Sequence, residues 1–206
     1  MMQLFIKGGP IMWPILILSI VTIGVVFERI FFLLIEARRR DPAAVQRIFG
    51  LVEHGKLAEA AESGERARDV IASILTEGLK HRETSLSEAM LEAASAELDH
   101  YNRGLVVLDT AVTLGPLLGL LGTVLGMIHA FGVVGTGEVA TKQEVITGGI
   151  SQCLIAVSFG LAVAIVAIIP LNYLNARMER ARRQLESAMT RLELLVAKRR
   201  SISTGA

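Results

Sequence analysis

The sequence of 206 residues has one cysteine and four scattered histidines, and only 5% of its residues are aromatic. The single cysteine, Cys153, excludes an intramolecular disulfide framework. No Cys/His cluster has the spacing of zinc ligands. A nucleophile–base pair, paired carboxylates and a phosphate-binding loop are also missing. We therefore predict a chain that is not an enzyme, needs no cofactor or metal and has no nucleic-acid partner.

Aliphatic side chains, in contrast, are abundant. Hydrophobic residues make up 52% of the chain and charged residues 20%, which suits membrane helices joined to charged extramembrane helices. The apolar stretches lie at 11–35, 105–134 and 145–174. At about 1.5 Å per residue, each can cross a hydrocarbon core of about 30 Å. The predicted fold is an all-α membrane protein with three transmembrane helices and long helices that extend into the cytoplasm.

The first apolar stretch has an alternative interpretation as a cleaved signal peptide. The core of such a peptide has about 7–15 residues with a small-residue cleavage site behind it. Here the apolar run is longer, and residues 36–40 read EARRR. We therefore interpret it as a retained transmembrane helix.

Basic residues predict the orientation in the membrane. Of the 21 Lys and Arg residues, 18 lie in the ranges 36–104 and 177–206, whereas residues 1–10 contain only Lys7. Cytoplasmic segments carry an excess of Lys and Arg. We therefore place residues 1–10 and the short linker 135–144 on the side opposite the cytoplasm. The helical region 36–104 and the C-terminal helix and tail 175–206 are placed in the cytoplasm, so the second and third membrane segments form an antiparallel hairpin.

Cap and breaker residues predict helices within 36–104. Asp41 is a candidate N-cap, with Pro42 at the first helical position. Helix breaks are expected at Gly55 and Gly64.

A further helix start is expected at Ser85, which forms a capping-box pattern with Glu88. Nothing between there and Pro116 stops a helix. One long helix should therefore run from the cytoplasm into the second membrane segment, with a kink at Pro116.

Apolar residues recur at spacings of three and four along the C-terminal helix, a pattern typical of an a/d seam over about four heptads. This C-terminal seam consists of Leu171, Leu174, Met178, Ala181, Leu185, Ala188, Leu192 and Leu195. It could pack on its own cytoplasmic neighbours or join two subunits. Periodicity does not distinguish these alternatives.

Four glycines of the second membrane segment fall on one side of a helix, at spacings of four, three and four: Gly115, Gly119, Gly122 and Gly126. In lipid, such a stripe lets another backbone approach closely. Glycine inside a helix costs about 1 kcal/mol relative to alanine, which argues against a filler role. We assign the stripe, together with Pro116, to helix packing; a pore-facing role would require polar neighbours.

Polar neighbours are present in the second and third membrane segments, and we assign five of them to an ion pathway: Thr123, Thr147, Ser151, Gln152 and Ser158. Polar side chains at this depth usually face protein or water. A Ser or Thr hydroxyl can instead bond its own helix backbone. The Gln152 amide has two donors and an acceptor that one backbone carbonyl cannot satisfy, so it should face a partner helix or a hydrated path.

Residues 115–131, which read GPLLGLLGTVLGMIHAF, resemble the second-helix signature of the MotA/TolQ/ExbB proton-channel family. Residues 8–16 (GGPIMWPIL), with Glu28 and Arg29, resemble the family's first helix. Residues 149–161 (GISQCLIAVSFGL) and 169–173 (IPLNY) resemble its third. The resemblance covers nearly the whole chain in the family's order and is strongest to the ExbB and TolQ branches.

The resemblance implies a homo-oligomeric ring, expected to be a pentamer, around a dimer of a single-span partner of the ExbD/TolR/MotB kind. The partner helix brings an aspartate that binds the transported ion, H⁺ or Na⁺. Ion flow would then drive mechanical work on an envelope component such as a TonB-like protein. Thr123 matches the family's pore threonine, whereas Gln152 stands where ExbB and TolQ have a glutamate. Val157 replaces a threonine of the third-helix pattern, beside Ser158.

The glutamine has a physical consequence, because an amide does not titrate near neutral pH as a carboxylate does. A proton relay through Gln152 is therefore not expected. Our hypothesis is that the partner's aspartate alone carries the titratable charge, while Thr123, Gln152 and Ser158 hydrate or orient the ion. The alternative is a non-conducting membrane scaffold ring that organises envelope partners, which the missing glutamate favours.

Overall fold

A computed structural model describes the backbone of residues 8–134 and 139–204 and the side chains of residues 8–132 and 146–199. Within these ranges the chain is helical and has no strand. Seven helices follow one another in this part of the chain: α1 (Met12–Arg39), α2 (Pro42–Glu53), α3 (Leu57–Glu65), α4 (Val70–Lys80), α5 (Leu86–Asn102), α6 (Leu105–Val134) and α7 (Val139–Thr204).

Three helical stretches are long and apolar enough to cross a membrane, judged by length and composition: Met12–Arg39, Leu86–Gly132 and Ile146–Arg199. They contain the apolar stretches found in the sequence, so the predicted all-α class with three candidate membrane helices is confirmed. The predicted segment 1–10 and linker 135–144 lie largely outside the described residues, although α7 already begins at Val139.

The chain divides into two compact units. The apolar unit comprises the described residues before Ile30 together with Gly104–Leu174, and the charged unit comprises Ile30–Arg103 together with the described residues from Asn175 onward. Helices α1 and α7 each contribute to both units.

The charged unit has a core contributed by α2, α3, α4, α5 and the C-terminal part of α7. Its fully buried large side chains are Ile48, Val52, Leu75, Leu79, Met90 and Leu192. Burying one such side chain stabilises a fold by about 1.5–3 kcal/mol, so this core is the main source of stability in the unit.

Two aspartates start α2 and α4. Asp41 accepts hydrogen bonds from the amides of Ala43 and Ala44, both at 3.1 Å, which confirms its predicted role as N-cap. Asp69 accepts from two amides in the first turn of α4 at 2.8 and 3.2 Å. Its second oxygen accepts from the Asp41 amide at 2.8 Å, so one buried carboxylate joins the two helix starts.

One prediction about the helices of this region is wrong. Gly104, with φ of +79°, separates α5 from α6, so the expected single long helix does not form. The break expected at Gly64 falls one residue later, since α3 ends at Glu65, and a Cβ at Gly64 would also overlap the Thr76 hydroxyl. Ser85 is the N-cap of α5, as predicted, but its side chain makes no capping hydrogen bond. The break at Gly55 is confirmed by its φ of +81°.

In the apolar unit, the N-terminal part of α1 packs against α7. Ile11, Met12 and Ile15 share a buried cluster with Ala156 and Val163. The partly buried side chain of Leu118 extends this cluster to α6. The three candidate membrane helices therefore contact one another through small and aliphatic side chains.

The turn at Gly104 lies against a buried arginine. Arg29 is 6% exposed, and its Nε donates to Glu28 Oε2 at 2.8 Å. A Cβ at Gly104 would lie 2.9 Å from this Nε. Glycine is therefore required here both for its backbone conformation and for the space that Arg29 occupies.

Candidate functional site

Helices α6 and α7 run antiparallel with their backbones in contact. A Cβ at Gly115 would lie 2.7 Å from the carbonyl oxygen of Gly160, and a Cβ at Gly119 would lie 3.0 Å from Val157 Cα. Backbone atoms, unlike side-chain atoms, cannot move aside by a change of rotamer. Alanine at either position would therefore push the two helices apart.

The other two glycines of the stripe face the same helix. A Cβ at Gly122 would lie 2.5 Å from Ala156 Cβ, and a Cβ at Gly126 would lie 2.6 Å from Cys153 Sγ. Pro116 lies within α6 next to Gly115; the kink expected there stays a prediction. The structure thus places all four glycines against α7.

Sequence reasoning missed the matching face of α7. A Cβ at Gly149 would lie 2.5 Å from Ala130 Cβ, and Gly160 meets the backbone of α6. The available signal was a run of small residues at spacings of four, three, four, four and three: Gly149, Cys153, Ala156, Gly160, Ala164 and Ala167. Two complementary stripes hold the hairpin of α6 and α7 together.

Three of the five predicted ion-pathway residues line one groove on α7, which we call the hydroxyl groove. Thr147, Ser151 and Ser158 fall on one face of the helix because they are spaced by four and seven residues. The groove has a volume of about 490 Å³, and its remaining lining is apolar: Ile150, Leu154, Ile155 and Phe159. The Ser158 hydroxyl donates to the carbonyl of Leu154 at 2.7 Å, which leaves its oxygen able to accept or to coordinate.

Thr123 lies outside the hydroxyl groove. Its hydroxyl donates to the carbonyl oxygen of Leu120 at 2.6 Å, and its side chain is half-buried. The Thr123 carbonyl accepts from Cys153 Sγ at 3.2 Å, a contact between α6 and α7. Thr123 is therefore fixed at the helix pair, with one hydroxyl oxygen still able to accept.

Gln152 also lies outside the groove. It is half-buried, and its amide group packs against Gly9, in the turn that precedes α1. A Cβ at Gly9 would overlap the amide nitrogen. The Gln152 amide therefore lies against the turn that precedes α1.

Carboxylates, histidines and basic side chains are absent from the part of α7 that carries the groove, residues 146–174. On α6 the corresponding groups are Asp109 and His129, both exposed. Among the described residues, no group of three or more His, Cys, Asp or Glu side chains could hold a metal ion. The hydroxyl groove can thus donate and accept hydrogen bonds but has no proton-carrying carboxylate of its own.

The C-terminal seam divides between the two units. Leu171 and Leu174 are buried in the apolar unit, and Met178 is half-buried. Leu185 and Leu192 are buried in the core of the charged unit. These two leucines thus pack on helices of their own chain.

Comparison with known proteins gives one family. Residues 66–187 match the model of the MotA/TolQ/ExbB proton channel family. This range contains all five predicted ion-pathway residues and the glycine stripe of α6.

Individual relatives point the same way. The chain is 33% identical over 197 residues to the putative biopolymer transport protein ExbB-like 1 of Synechocystis sp., across 93% of this chain and 77% of that protein. It is 28% identical over 197 residues to the biopolymer transport protein exbB1 of Vibrio cholerae, across 93% and 86%. It is also 37% identical over 90 residues to the Tol-Pal system protein TolQ of Haemophilus influenzae, across 44% and 39%.

Proposed function

Because the chain belongs to the MotA/TolQ/ExbB proton channel family, we propose that it is the channel-forming subunit of an inner-membrane motor. It couples the proton or sodium motive force to mechanical work through a single-span partner of the ExbD/TolR/MotB kind. Five copies form a ring around two partner helices, with the N-terminus in the periplasm and the C-terminus in the cytoplasm. The work is delivered to an envelope component such as a TonB-like protein.

The observation that carries the proposal is the hydroxyl groove on an otherwise apolar helix. Three hydroxyl-bearing residues, Thr147, Ser151 and Ser158, share one open face of α7. Polar groups at membrane depth are rarely turned to lipid, because they are best satisfied by protein or water. In a ring, this face is therefore directed to the interior, where a guest helix and water complete the lining.

The proposed ion step follows from the chemical groups of the groove, which has hydroxyls but no carboxylate. A carboxylate on the partner helix carries the titratable charge, since residues 146–174 contain no carboxylate. The hydroxyl oxygens are ligands of the kind that hard cations such as Na⁺ prefer, and a hydroxyl that turns away from its own backbone carbonyl can donate to the carboxylate when it is ionised. Each charge that crosses the membrane releases about 2.3 kcal/mol per 100 mV, which is the energy available for movement of the partner.

Gln152 and Thr123 have different roles in this proposal. The Gln152 amide packs against Gly9 and holds the N-terminal turn to α7, which is a positioning role. Thr123, at the contact between α6 and α7, uses its hydroxyl oxygen to accept a hydrogen bond from water or to coordinate a cation on the pathway. Neither residue relays a proton.

Ion flux into proteoliposomes tests the function. The chain, co-purified with its single-span partner, is reconstituted, and a potassium diffusion potential is applied while an enclosed dye reports pH. We expect potential-driven proton uptake by the complex and none by the chain without its partner. A second series replaces Na⁺ with choline in all buffers; proton uptake that persists excludes obligatory Na⁺ coupling, whereas Na⁺-dependent flux identifies a sodium motor.

The alternative function is the non-conducting scaffold ring, which is favoured by the amide at position 152 in place of a carboxylate. A scaffold predicts that the complex assembles with its partner but passes neither H⁺ nor Na⁺ under the same potential. That outcome in vesicles of demonstrated tightness would contradict the motor.

A further inference from the structure

The charged unit contains an open groove that the proposed ion pathway does not use. Its volume is about 1190 Å³, and we call it the arginine groove. Six arginines and three carboxylates line it: Arg38, Arg39, Arg40, Arg47, Arg66 and Arg68, with Asp41, Glu59 and Glu62. The lining therefore carries an excess of positive charge, and an open cleft lined mainly by one sign of charge attracts ions of the other sign.

The arginines of this groove differ in how far they are neutralised. Arg47 pairs with Asp41 at 3.6 Å, and Arg66 pairs with Glu62 at 2.5 Å. Arg38 and Arg68 are exposed, and neither makes an ion pair or side-chain hydrogen bond with any residue in the described part of the chain. Arg39 is likewise exposed and makes neither kind of contact in the same part of the chain. Three guanidinium groups are thus available to an outside anion.

The position of the groove along the chain indicates where that anion comes from. Ile35, Arg38 and Arg39 line the groove from the last turns of α1, the first candidate membrane helix. The apolar run of α1 ends at Ile35, so the groove begins where the hydrocarbon core ends. Ile35, Leu51 and Ala67 add apolar surface to the lining. A ligand with an anionic head and an apolar body fits both features.

We propose that the arginine groove binds the headgroup of an anionic phospholipid, with Arg38 and Arg68 as ligands of its phosphate. The planar guanidinium presents paired N–H donors that match two phosphate oxygens, so arginine is well suited to this ligand. Free phosphate has the same oxygens. The position at the end of α1 favours the lipid, because a lipid phosphate is already concentrated at that depth.

Lipid binding to the detergent-purified full chain, or to its complex with the partner, tests the proposal. Dioctanoyl-phosphatidylglycerol or dioctanoyl-phosphatidylcholine is titrated, and bound lipid is counted by native mass spectrometry. We expect saturable binding of phosphatidylglycerol at least about tenfold tighter than that of the neutral lipid. Inorganic phosphate should not displace it at equal concentration. Displacement at equal concentration, or equal binding of both lipids, would overturn the lipid assignment.

Substitutions then locate the site. Arg38→Gln together with Arg68→Gln should raise the dissociation constant for phosphatidylglycerol about 25-fold, from about fivefold for each basic residue near a membrane surface. The control pair, Arg103→Gln with Arg182→Gln, removes the same charge outside the groove and should change it less than about twofold. An equal loss in both pairs would mean general surface attraction and would overturn the site.

A variant that should bind the lipid more tightly distinguishes an effect on the binding site from an effect on folding. Glu62→Gln removes the carboxylate that pairs with Arg66 and should tighten phosphatidylglycerol binding about threefold or more, because a further guanidinium becomes available. Misfolding cannot produce tighter, saturable binding. An unchanged or weaker affinity in this variant would contradict the proposal.

Discussion

The side-chain amide of Gln152 lies directly against the backbone of Gly9, at a position where any Cβ would overlap the amide nitrogen. Gly9 also has a φ of +75°, a conformation that other residues rarely adopt. Glycine is therefore required in this turn for its backbone conformation, whereas the Gln152 amide, at the end of a flexible side chain, can shift to make room for a methyl group. The contact attaches the residues before α1 to the third candidate membrane helix, and it gives Gln152 a structural role that needs no titratable group.

The contact between Gln152 and Gly9 predicts a marked sensitivity at position 9. Gly9→Ala should lower the free energy of unfolding by roughly 1–2 kcal/mol, mainly from the strained φ, with a smaller contribution from displacement of the Gln152 amide. Thermal melting of the purified protein in detergent measures the change. Gly24→Ala is the control, because a Cβ there meets no atom within 4 Å, and it should be neutral.

A double substitution separates the two causes. Gly9→Ala with Gln152→Ala removes the overlap but keeps the strained φ, so the loss at position 9 should be smaller in this background. An equal loss in both backgrounds would show that the amide contact contributes nothing.

The packing of α6 on α7 predicts a second effect. Gly119→Ala should lower the free energy of unfolding by about 1–3 kcal/mol, because its Cβ would lie 3.0 Å from Val157 Cα, a backbone atom that cannot yield without moving α7. Gly132→Ala, in the same helix, meets no atom within 4 Å and should be neutral or stabilising by up to about 1 kcal/mol. Similar melting temperatures for the two variants would argue against backbone contact.

The core of the charged unit predicts a contrast between two leucines of α7. Leu192 is fully buried and Leu194 is 66% exposed. Leu192→Ala should therefore lower the free energy of unfolding by about 2–5 kcal/mol, whereas Leu194→Ala should change it by about 0.5 kcal/mol or less. Denaturant titration followed by circular dichroism measures both. If Leu194→Ala were the more damaging, position 194 would be the one packed against another chain.

If the hydroxyl groove lines the ion pathway, removing one of its hydroxyls should lower ion flux without impairing assembly. Ser158→Ala should lower potential-driven flux about tenfold or more, because one hydrogen bond to a charged group contributes about 1.5–3 kcal/mol. Ser95→Ala is the control, since that exposed hydroxyl likewise bonds its own helix, to Glu92 at 2.9 Å, but lies in α5 of the charged unit. Flux that is unchanged in the Ser158 variant would remove this residue from the pathway.

The pathway role of Thr123 stays a prediction, which a valine substitution tests. Thr123→Val preserves the side-chain shape and removes the hydroxyl, so coupling should fall while the ring still assembles. Thr110→Val is the comparison, because that hydroxyl also bonds its own helix, to Val106 at 2.7 Å, but at an exposed position near the start of α6. Normal work output from an assembled Thr123→Val complex would show that the hydroxyl is dispensable.

Features set by local sequence were predictable. Asp41 with Pro42 starts α2, and Gly55 stops it, because caps and breakers act through neighbouring backbone groups. The three candidate membrane helices followed from long apolar runs, which the structure confirms as helices. The glycine spacing of α6 likewise identified one face of a helix before its partner was known.

Features set by tertiary contacts were not predictable. Gly64 resembles a helix breaker in sequence, which does not show that the position must also lack a side chain. A Cβ there would overlap the Thr76 hydroxyl. Gly104 lies in an otherwise helical sequence pattern and was not predicted to break the helix. In the structure it has a positive φ and leaves space for Arg29. From the sequence, Gln152 was predicted to face a partner helix or a hydrated path. Its contact with Gly9 was not predictable, because the two residues lie far apart along the chain.

The central claim is that the hydroxyl groove of α7 faces the interior of a ring and a guest helix with an acidic side chain. Cryo-electron microscopy of the complex, co-expressed with its single-span partner, tests it most directly. We expect a ring with partner helices on its axis and a carboxylate at the level of Ser151 and Ser158. A ring with an empty axis, or one in which these residues face lipid, would contradict the claim.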